Sequence, residues 1–270
     1  MSRERDYDDI SDRIDRRYEE DALFKDKNRE EFRVMEEVFD RLTLQGVYKL
    51  FKKGVIDSIH GVVKAGKEAR VYYAVHPDGR ELAVKIYYTH TAEFRKGMMD
   101  YIRGDPRFKR VRKSPRSIVY TWNQKEFSNL KLCEEAGVNS PRPIDFIRNI
   151  LVMTFIGDDG VPAPLLREFM PEDPAGFYGL VLDEMRLLWQ EAGLAHGDLS
   201  EYNIMAYEEK PVVFDVSQAM LTIHPMAPSL LERDIGNVNY TFKRLGVETR
   251  DPDELKEWIT GGTEDLYQDS

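Results

Sequence analysis

At 270 residues, 41% apolar and 33% charged, the chain has apolar material for one large globular domain or two lobes, and it falls outside the composition class that stays unfolded. A formal net charge of -10 excludes global attraction to polyanions, so any phosphate or nucleic-acid site has to be a local feature set against the overall field. The single cysteine, Cys133, excludes an internal disulfide, the opening MSRERDYDDI lacks the apolar core of a signal peptide, and no apolar run approaches the roughly 20 residues that cross a bilayer; together these predict a cytoplasmic protein with no membrane contact.

Residues 1–40 hold 15 acidic and 9 basic side chains, which predicts a mobile segment or a solvated helix. Leu42, Leu44, Val47, Tyr48 and Phe51 recur at helical spacing, and Gly54 supplies the stop. Three β-rich runs follow at 59–63, 71–75 and 82–88. The last two are joined by His76-Pro77-Asp78-Gly79, where proline presets φ and glycine accepts positive φ, so the pattern is an antiparallel meander. Residues 95–116 reverse the acidic trend, with nine Arg or Lys against two Asp, a local balance of +7. Gly97, Gly104, Pro106 and Pro115 predict a loop there, part of a flexible basic loop over about 89–118. A helix is predicted over 121–136, capped by Gly137, with Trp122, Glu126, Leu130 and Cys133 on one face. A carboxylate on an apolar face calls for a cation partner. A buried strand at 150–156 and helices at 177–192, 229–245 and 253–260 complete an α+β chain, sheet-rich at the front and helical behind.

The strongest chemical signal is His196-Gly197-Asp198-Leu199-Ser200-Glu201-Tyr202-Asn203, an Asp followed five residues on by Asn, as in a kinase catalytic loop with Gly in place of Arg. That spacing lets the Asp reach an acceptor hydroxyl while the Asn turns back to a metal between phosphates. Twelve residues later, after Val212-Val213-Phe214, comes Asp215, which reads as a second metal ligand because Mg²⁺ takes one or two carboxylates plus phosphate oxygens. Lys85 stands inside the apolar strand Ala83-Val84-Lys85-Ile86, and Glu126 is its expected counter-ion. Gly66-Lys67 lies 19 residues before Lys85, between the first two strands, where a phosphate-covering loop belongs.

These residues carry a resemblance. Gly66-Lys67-Glu68-Ala69 with Val71-Tyr72, Leu82 to Tyr87, Val152-Met153 with Phe155-Ile156-Gly157, Pro162-Ala163-Pro164, the Asp198–Asn203 loop and Asp215-Val216-Ser217-Gln218 resemble the RIO family of atypical serine/threonine protein kinases over about 42–245. The chain is similar to the first subfamily in its archaeal form, since too little sequence precedes Gly61 for the winged-helix domain of the second. The resemblance implies a two-lobed protein-kinase-like fold, with an N-terminal antiparallel sheet lobe carrying one main helix over 41–154 and a mostly helical catalytic lobe over 155–270. It implies Asp198 as acid-base residue, Lys85 on phosphate, and Asn203 and Asp215 on Mg²⁺, with Mn²⁺ as a substitute. Lys64, Gly66, Lys67, Glu68, Val71, Ala83, Lys85, Glu126 and the backbone of Thr154 and Ile156 would hold ATP. Asp215 would also accept phosphate during ATPase turnover. Here Lys64-Ala65 stand where the family has Ser-Thr, Arg70 replaces a common Asn and Thr154 a common Glu.

Only about a dozen residues separate Asp215 from Pro228 and no A-P-E motif occurs, so few or no general peptide substrates are expected. The resemblance points instead to small-ribosomal-subunit maturation, with rRNA contact through 95–116. Two alternatives stand beside it: a small-molecule kinase of the aminoglycoside or choline type, and a non-catalytic ATP-binding assembly factor.

Overall fold

The computed structural model describes residues 29–89, 92–108 and 114–261. Helices α1 (Arg29–Val38) and α2 (Arg41–Lys52) come first. Between them the Asp40 carboxylate accepts from the Thr43 N–H at 2.9 Å, satisfying one of the open donors of α2. Met35 and Phe39, four residues apart, are buried against the sheet. Two apolar side chains thus dock part of the charged N-terminal segment that composition alone reads as solvated. Residues 1–28 of that segment lie outside the described residues.

Strands β1 (Ser58–Ala65), β2 (Ala69–Val75), β3 (Glu81–Tyr87), β4 (Pro143–Ile147) and β5 (Ile150–Thr154) form one antiparallel sheet in the order β1-β2-β3-β5-β4. The period of two divides the central strand β3 between the faces. Leu82, Val84 and Ile86 enter a core with Val47, Leu50 and Tyr72, whereas Lys85 and Tyr87 meet Glu126 across the other face. Burial of Val84 and Ile86 contributes roughly 1.5–3 kcal/mol each. Lys85 lies opposite Val71 on one side and Leu151 on the other, so a slip of one residue would turn it into the apolar core.

The segment 95–116 is not one loop. It carries α3 (Ala92–Ile102), a short 3₁₀ turn (Pro106–Phe108) and the start of α4 (Pro115–Ala136), while its residues 109–113 lie outside the described residues. Met98 and Ile102 bury against Val119 and Trp122, which outweighs the cost of Gly97 inside α3. Pro115 does not break α4; it opens it, where its missing N–H is not needed, behind Ser114, whose hydroxyl accepts from Ser117 N at 3.3 Å. Gly137, at φ 76°, ends the helix as its cap position predicts. Trp122, Glu126, Leu130 and Cys133 are all buried, as their spacing predicts.

Beyond the sheet come the hairpin β6 (Gly157–Asp158) and β7 (Val161–Pro162), α5 (Pro174–Gln190), β8 (Leu194–Ala195), β9 (Ile204–Tyr207), β10 (Lys210–Val213), β11 (Met220–Leu221), α6 (Ala227–Arg244) and α7 (Pro252–Thr260). Their core joins Val181, Ile204, Val213, Phe242 and Trp258, and takes Leu130 and Cys133 from α4. Truncating Phe242 to Ala would cost about 3–5 kcal/mol. Helix α4 therefore belongs to both bodies of the molecule.

Candidate active site

A cavity of about 330 Å³ opens between the sheet and the C-terminal body. It is lined by Lys64 from β1, Gly66, Lys67 and Glu68 from the β1–β2 turn, Val71 from β2, and by Lys85, Glu126 and Asp215. The Lys85 ammonium sits between two carboxylates, 2.7 Å from Glu126 Oε1 and 2.9 Å from Asp215 Oδ1. Tyr87 donates to the other oxygen of Glu126. Burial alone would discharge Lys85, but Asp215 and Glu126 hold its pKa well above the usual lysine range. Burial likewise pushes Asp215 up, and the Lys85 charge with its hydrogen bond outweighs this and brings the carboxyl below its ordinary value. Glu68 is pushed up to about 7, first by burial and then by Asp215.

The catalytic loop is built from the backbone outward. Gly197 has φ 80°, and a Cβ there would meet Leu230 Cδ1 at 3.2 Å, which explains glycine at the second position of the motif. The buried Asp234 carboxylate on α6 accepts from Gly197 N at 2.7 Å and Leu199 N at 2.9 Å, one oxygen each. His196 Nδ1 accepts from Asp198 N at 3.2 Å, which leaves Nε2 to donate to the Phe214 carbonyl at 3.1 Å. Phe214 N in turn donates to the Asn203 carbonyl at 3.1 Å, joining the loop to the end of β10. Asn203 Nδ2 donates to the Asp198 carbonyl at 2.8 Å and to its Oδ2 at 3.2 Å, so the side-chain oxygen Oδ1 of Asn203 is the end left for a cation.

Asp215 adopts φ 60°, a left-handed conformation that costs a non-glycine residue about 1–3 kcal/mol and persists only where the surroundings impose it. The Ser217 hydroxyl donates to its Oδ1 at 2.9 Å, and Gln218 Nε2 reaches Asp198 Oδ2 at 3.5 Å. A carboxylate and an amide oxygen form a hard donor pair that suits Mg²⁺ completed by phosphate oxygens. Among the described residues, no group of three His, Cys, Asp or Glu side chains makes a cage of its own.

Three expected nucleotide contacts lie off the cavity lining. Ala83 is buried within β3, facing Met153 in the ladder, and Met153 is the side chain that reaches the cavity. Thr154 ends β5, its hydroxyl accepting from Arg142 N at 2.9 Å, and the Ile156 carbonyl accepts from Ala163 N at 3.0 Å. Sequence reasoning missed Met153, Phe214 and Ala69 on the lining, Asp234 under the loop, and Lys125 and Asn129 behind Asp215. Ala69 and Met153 stood inside the motif runs that carry the resemblance, and Asn129 carried a signal too, since it lies one turn beyond Glu126 on the same buried helix face.

A family model described as RIO domain matches residues 70–255. The RIO-type serine/threonine-protein kinase Rio1 of Haloferax volcanii is 41% identical over 257 residues, covering 94% of this chain and 88% of that protein. Its namesake from Methanocaldococcus jannaschii is 38% identical over 249 residues, covering 92% and 84%. Among solved structures, the Rio2 kinase-ADP/Mg²⁺-phosphoaspartate complex from Chaetomium thermophilum superposes with a TM-score of 0.59 at 22% identity, over 81% of this chain and 66% of that one, a likeness of fold. Fold and site together define an ATP-dependent protein kinase of the two-lobed type. A lysine held by a helix glutamate, an Asp-to-Asn loop and a strand-end aspartate form the arrangement that such kinases use. Within that class the chain belongs to the RIO family, alongside the Rio1 serine/threonine kinases. Among the described residues no helix is long and apolar enough to cross a membrane.

Proposed function

We propose that the chain moves the γ-phosphoryl group of Mg-ATP to serine or threonine hydroxyls on few protein targets, and onto Asp215 in an ATPase cycle that serves small-ribosomal-subunit maturation. The observation that carries the chemistry is the Lys85 ammonium fixed between Glu126 and Asp215, beside the Asp198–Asn203 pair. When bound, Mg-ATP supplies the electrophilic phosphorus and part of the neutralising charge. Lys85 holds phosphate oxygens, Asn203 and Asp215 hold the cation, and Asp198 takes the proton of an acceptor hydroxyl. In the ATPase cycle an Asp215 oxygen bonds to the γ-phosphorus as the bond to the ADP oxygen breaks. Water then cleaves the acyl phosphate, giving phosphate and a proton and restoring the carboxylate. The phosphoaspartate named for the Rio2 complex supports this route.

The narrow acceptor range is supported by the segment after Asp215. Met220–Leu221 pairs with β8, Thr222 N donates to the Gly193 carbonyl at 2.8 Å, and His224 Nε2 lies 3.1 Å from the Arg103 carbonyl. Such a pinned segment has little freedom to dock a peptide. For rRNA, Arg103 is 73% exposed, with the exposed Asp100 at 3.8 Å, while Arg107 and Arg116 are held closer, by Asp105 and Asp40.

Asp198→Ala against Asp215→Ala tests the chemistry. The first abolishes transfer to protein and keeps nucleotide binding; the second weakens Mg-dependent binding and removes a hydroxylamine-labile phosphoenzyme. Rapid phosphorylation of a small alcohol, with no effect on ribosomal precursors, would make this a small-molecule kinase instead. Neutralising Arg103, Lys109, Arg110, Arg112 and Lys113 tests the RNA contact. The slope of log affinity against log salt then falls by about 0.7–0.9 for each phosphate that the protein no longer neutralises. An unchanged slope removes rRNA from the proposal.

A further inference from the structure

Lys125 is buried completely, and its Nζ donates to two backbone carbonyls far away in sequence, Ser217 at 2.9 Å and Ala219. One turn further along α4, the equally buried Asn129 donates to the carbonyls of Val216 at 2.7 Å and Ala219 at 3.1 Å. The four bonds span 216–219, starting one residue after Asp215. Ser217, held through its carbonyl, returns its hydroxyl to the Asp215 carboxylate. The neighbouring Glu126 fixes Lys85 from the same helix.

We propose that Lys125, seconded by Asn129, is the positioning residue for Asp215, so that α4 sets both members of the Lys85–Asp215 pair from one rigid frame. Two features favour this over ordinary helix packing. A lysine buried without a hydrogen-bonded carboxylate is expensive, and an apolar side chain would fill the space at lower cost. Asp215 also keeps a strained left-handed conformation, which needs bonds that over-determine the backbone on its far side. Lys125 and Asn129 supply them. Burial, with help from Arg107 and against the Asp105 and Glu126 carboxylates, brings the Lys125 pKa down to about 7.

The inference rests on the Mg-nucleotide reading of Asp215, and the experiment separates the two. Lys125→Met and Asn129→Leu are compared with the full-length wild-type chain and with Leu130→Ala, which hollows the core and touches no carbonyl. Amide hydrogen exchange over 215–219 is followed without nucleotide, and ADP affinity is measured with Mg²⁺ and with EDTA. In Lys125→Met we expect exchange over 215–219 to quicken at least about ten-fold. The gain in ADP affinity from Mg²⁺ should shrink about ten-fold, with binding in EDTA unchanged. Leu130→Ala should melt earlier and move neither readout. If Lys125→Met does not fold, Asn129→Leu is held to the same outcome. Wild-type exchange and wild-type Mg²⁺ gain in a folded variant overturn the inference alone. No Mg²⁺ gain in the wild-type chain overturns it together with the reading of the site.

Discussion

Lys85 on β3 and Lys125 on α4 are both withdrawn from solvent, yet the first is ion-paired with two carboxylates while the second donates to two backbone carbonyls and lies over the Trp122 ring. Burial acts against charge in both. The partners decide the outcome: Asp215 and Glu126 keep Lys85 charged, while Lys125 falls to about 7. One lysine is a fixed charge between carboxylates. The other is a hydrogen-bonding peg.

The largest test of that contrast is Lys85→Met. It leaves the Glu126 carboxylate buried without a cation, so folding stability should drop by about 3 kcal/mol and phosphotransfer by about a thousandfold, read by denaturant unfolding and steady-state kinetics. Full activity in this variant would end the comparison. Next is the pH dependence of stability in wild type against Lys125→Met. The folded pKa of about 7 lies below the ordinary lysine value of 10.5, so between these the unfolded chain binds the extra proton. Wild-type stability relative to the variant should therefore rise from pH 7 towards 10.5, by no more than about 1.4 kcal/mol per pH unit, and stay level below 7. A flat difference would mean that Lys125 keeps its charge.

Glu126→Gln sharpens the comparison on the other side. It preserves an oxygen for Lys85 and removes the charge, and we expect about a ten-fold loss of activity with about 1 kcal/mol of stability. The smallest effect belongs to Glu68, whose carboxyl is raised to about 7 from 4.5 by burial and then by Asp215. The folded state here binds the extra proton, so wild type loses stability as pH climbs from 4.5 to 7, by less than about 1 kcal/mol because the group is partly solvated. Glu68→Gln should flatten that stretch of the curve in thermal melts.

The three front strands were readable from their β-rich runs, the last two on either side of a proline-glycine turn, and Lys85 stood out as a charge inside one of them. Strand β4 was not: every residue of it is half-buried, so neither alternation nor an apolar run marks it. Helix α3 was hidden by the density of Arg and Lys and by Gly97, though Met98 and Ile102 carried the helical spacing. Pro115 has one meaning inside a helix and the opposite at its first turn, and only Ser114 before it told which. Within the site, Asp198, Asn203, Asp215, Lys85 and Glu126 were legible because their chemistry makes poor packing. Asp234 was not, since an aspartate on a helix is ordinary until a loop from 35 residues away in sequence is seen to hang on it. Lys125 gave no sign either, a lysine beside a glutamate on a helix being ordinary until the carbonyls of 217 and 219 are seen to hang on it.

Cys133 sits at 0% exposure where α4 meets the C-terminal core, and burial pushes its thiol up to about 12. A thiol in that state gives maleimides and iodoacetamides neither thiolate nor access at neutral pH. The natural chain is thus silent to these reagents, and a cysteine placed at exposed Ile223 or Tyr240 would be the one position a dye or spin label finds. Movements at those two positions can then be followed in the folded protein with its native thiol left in place.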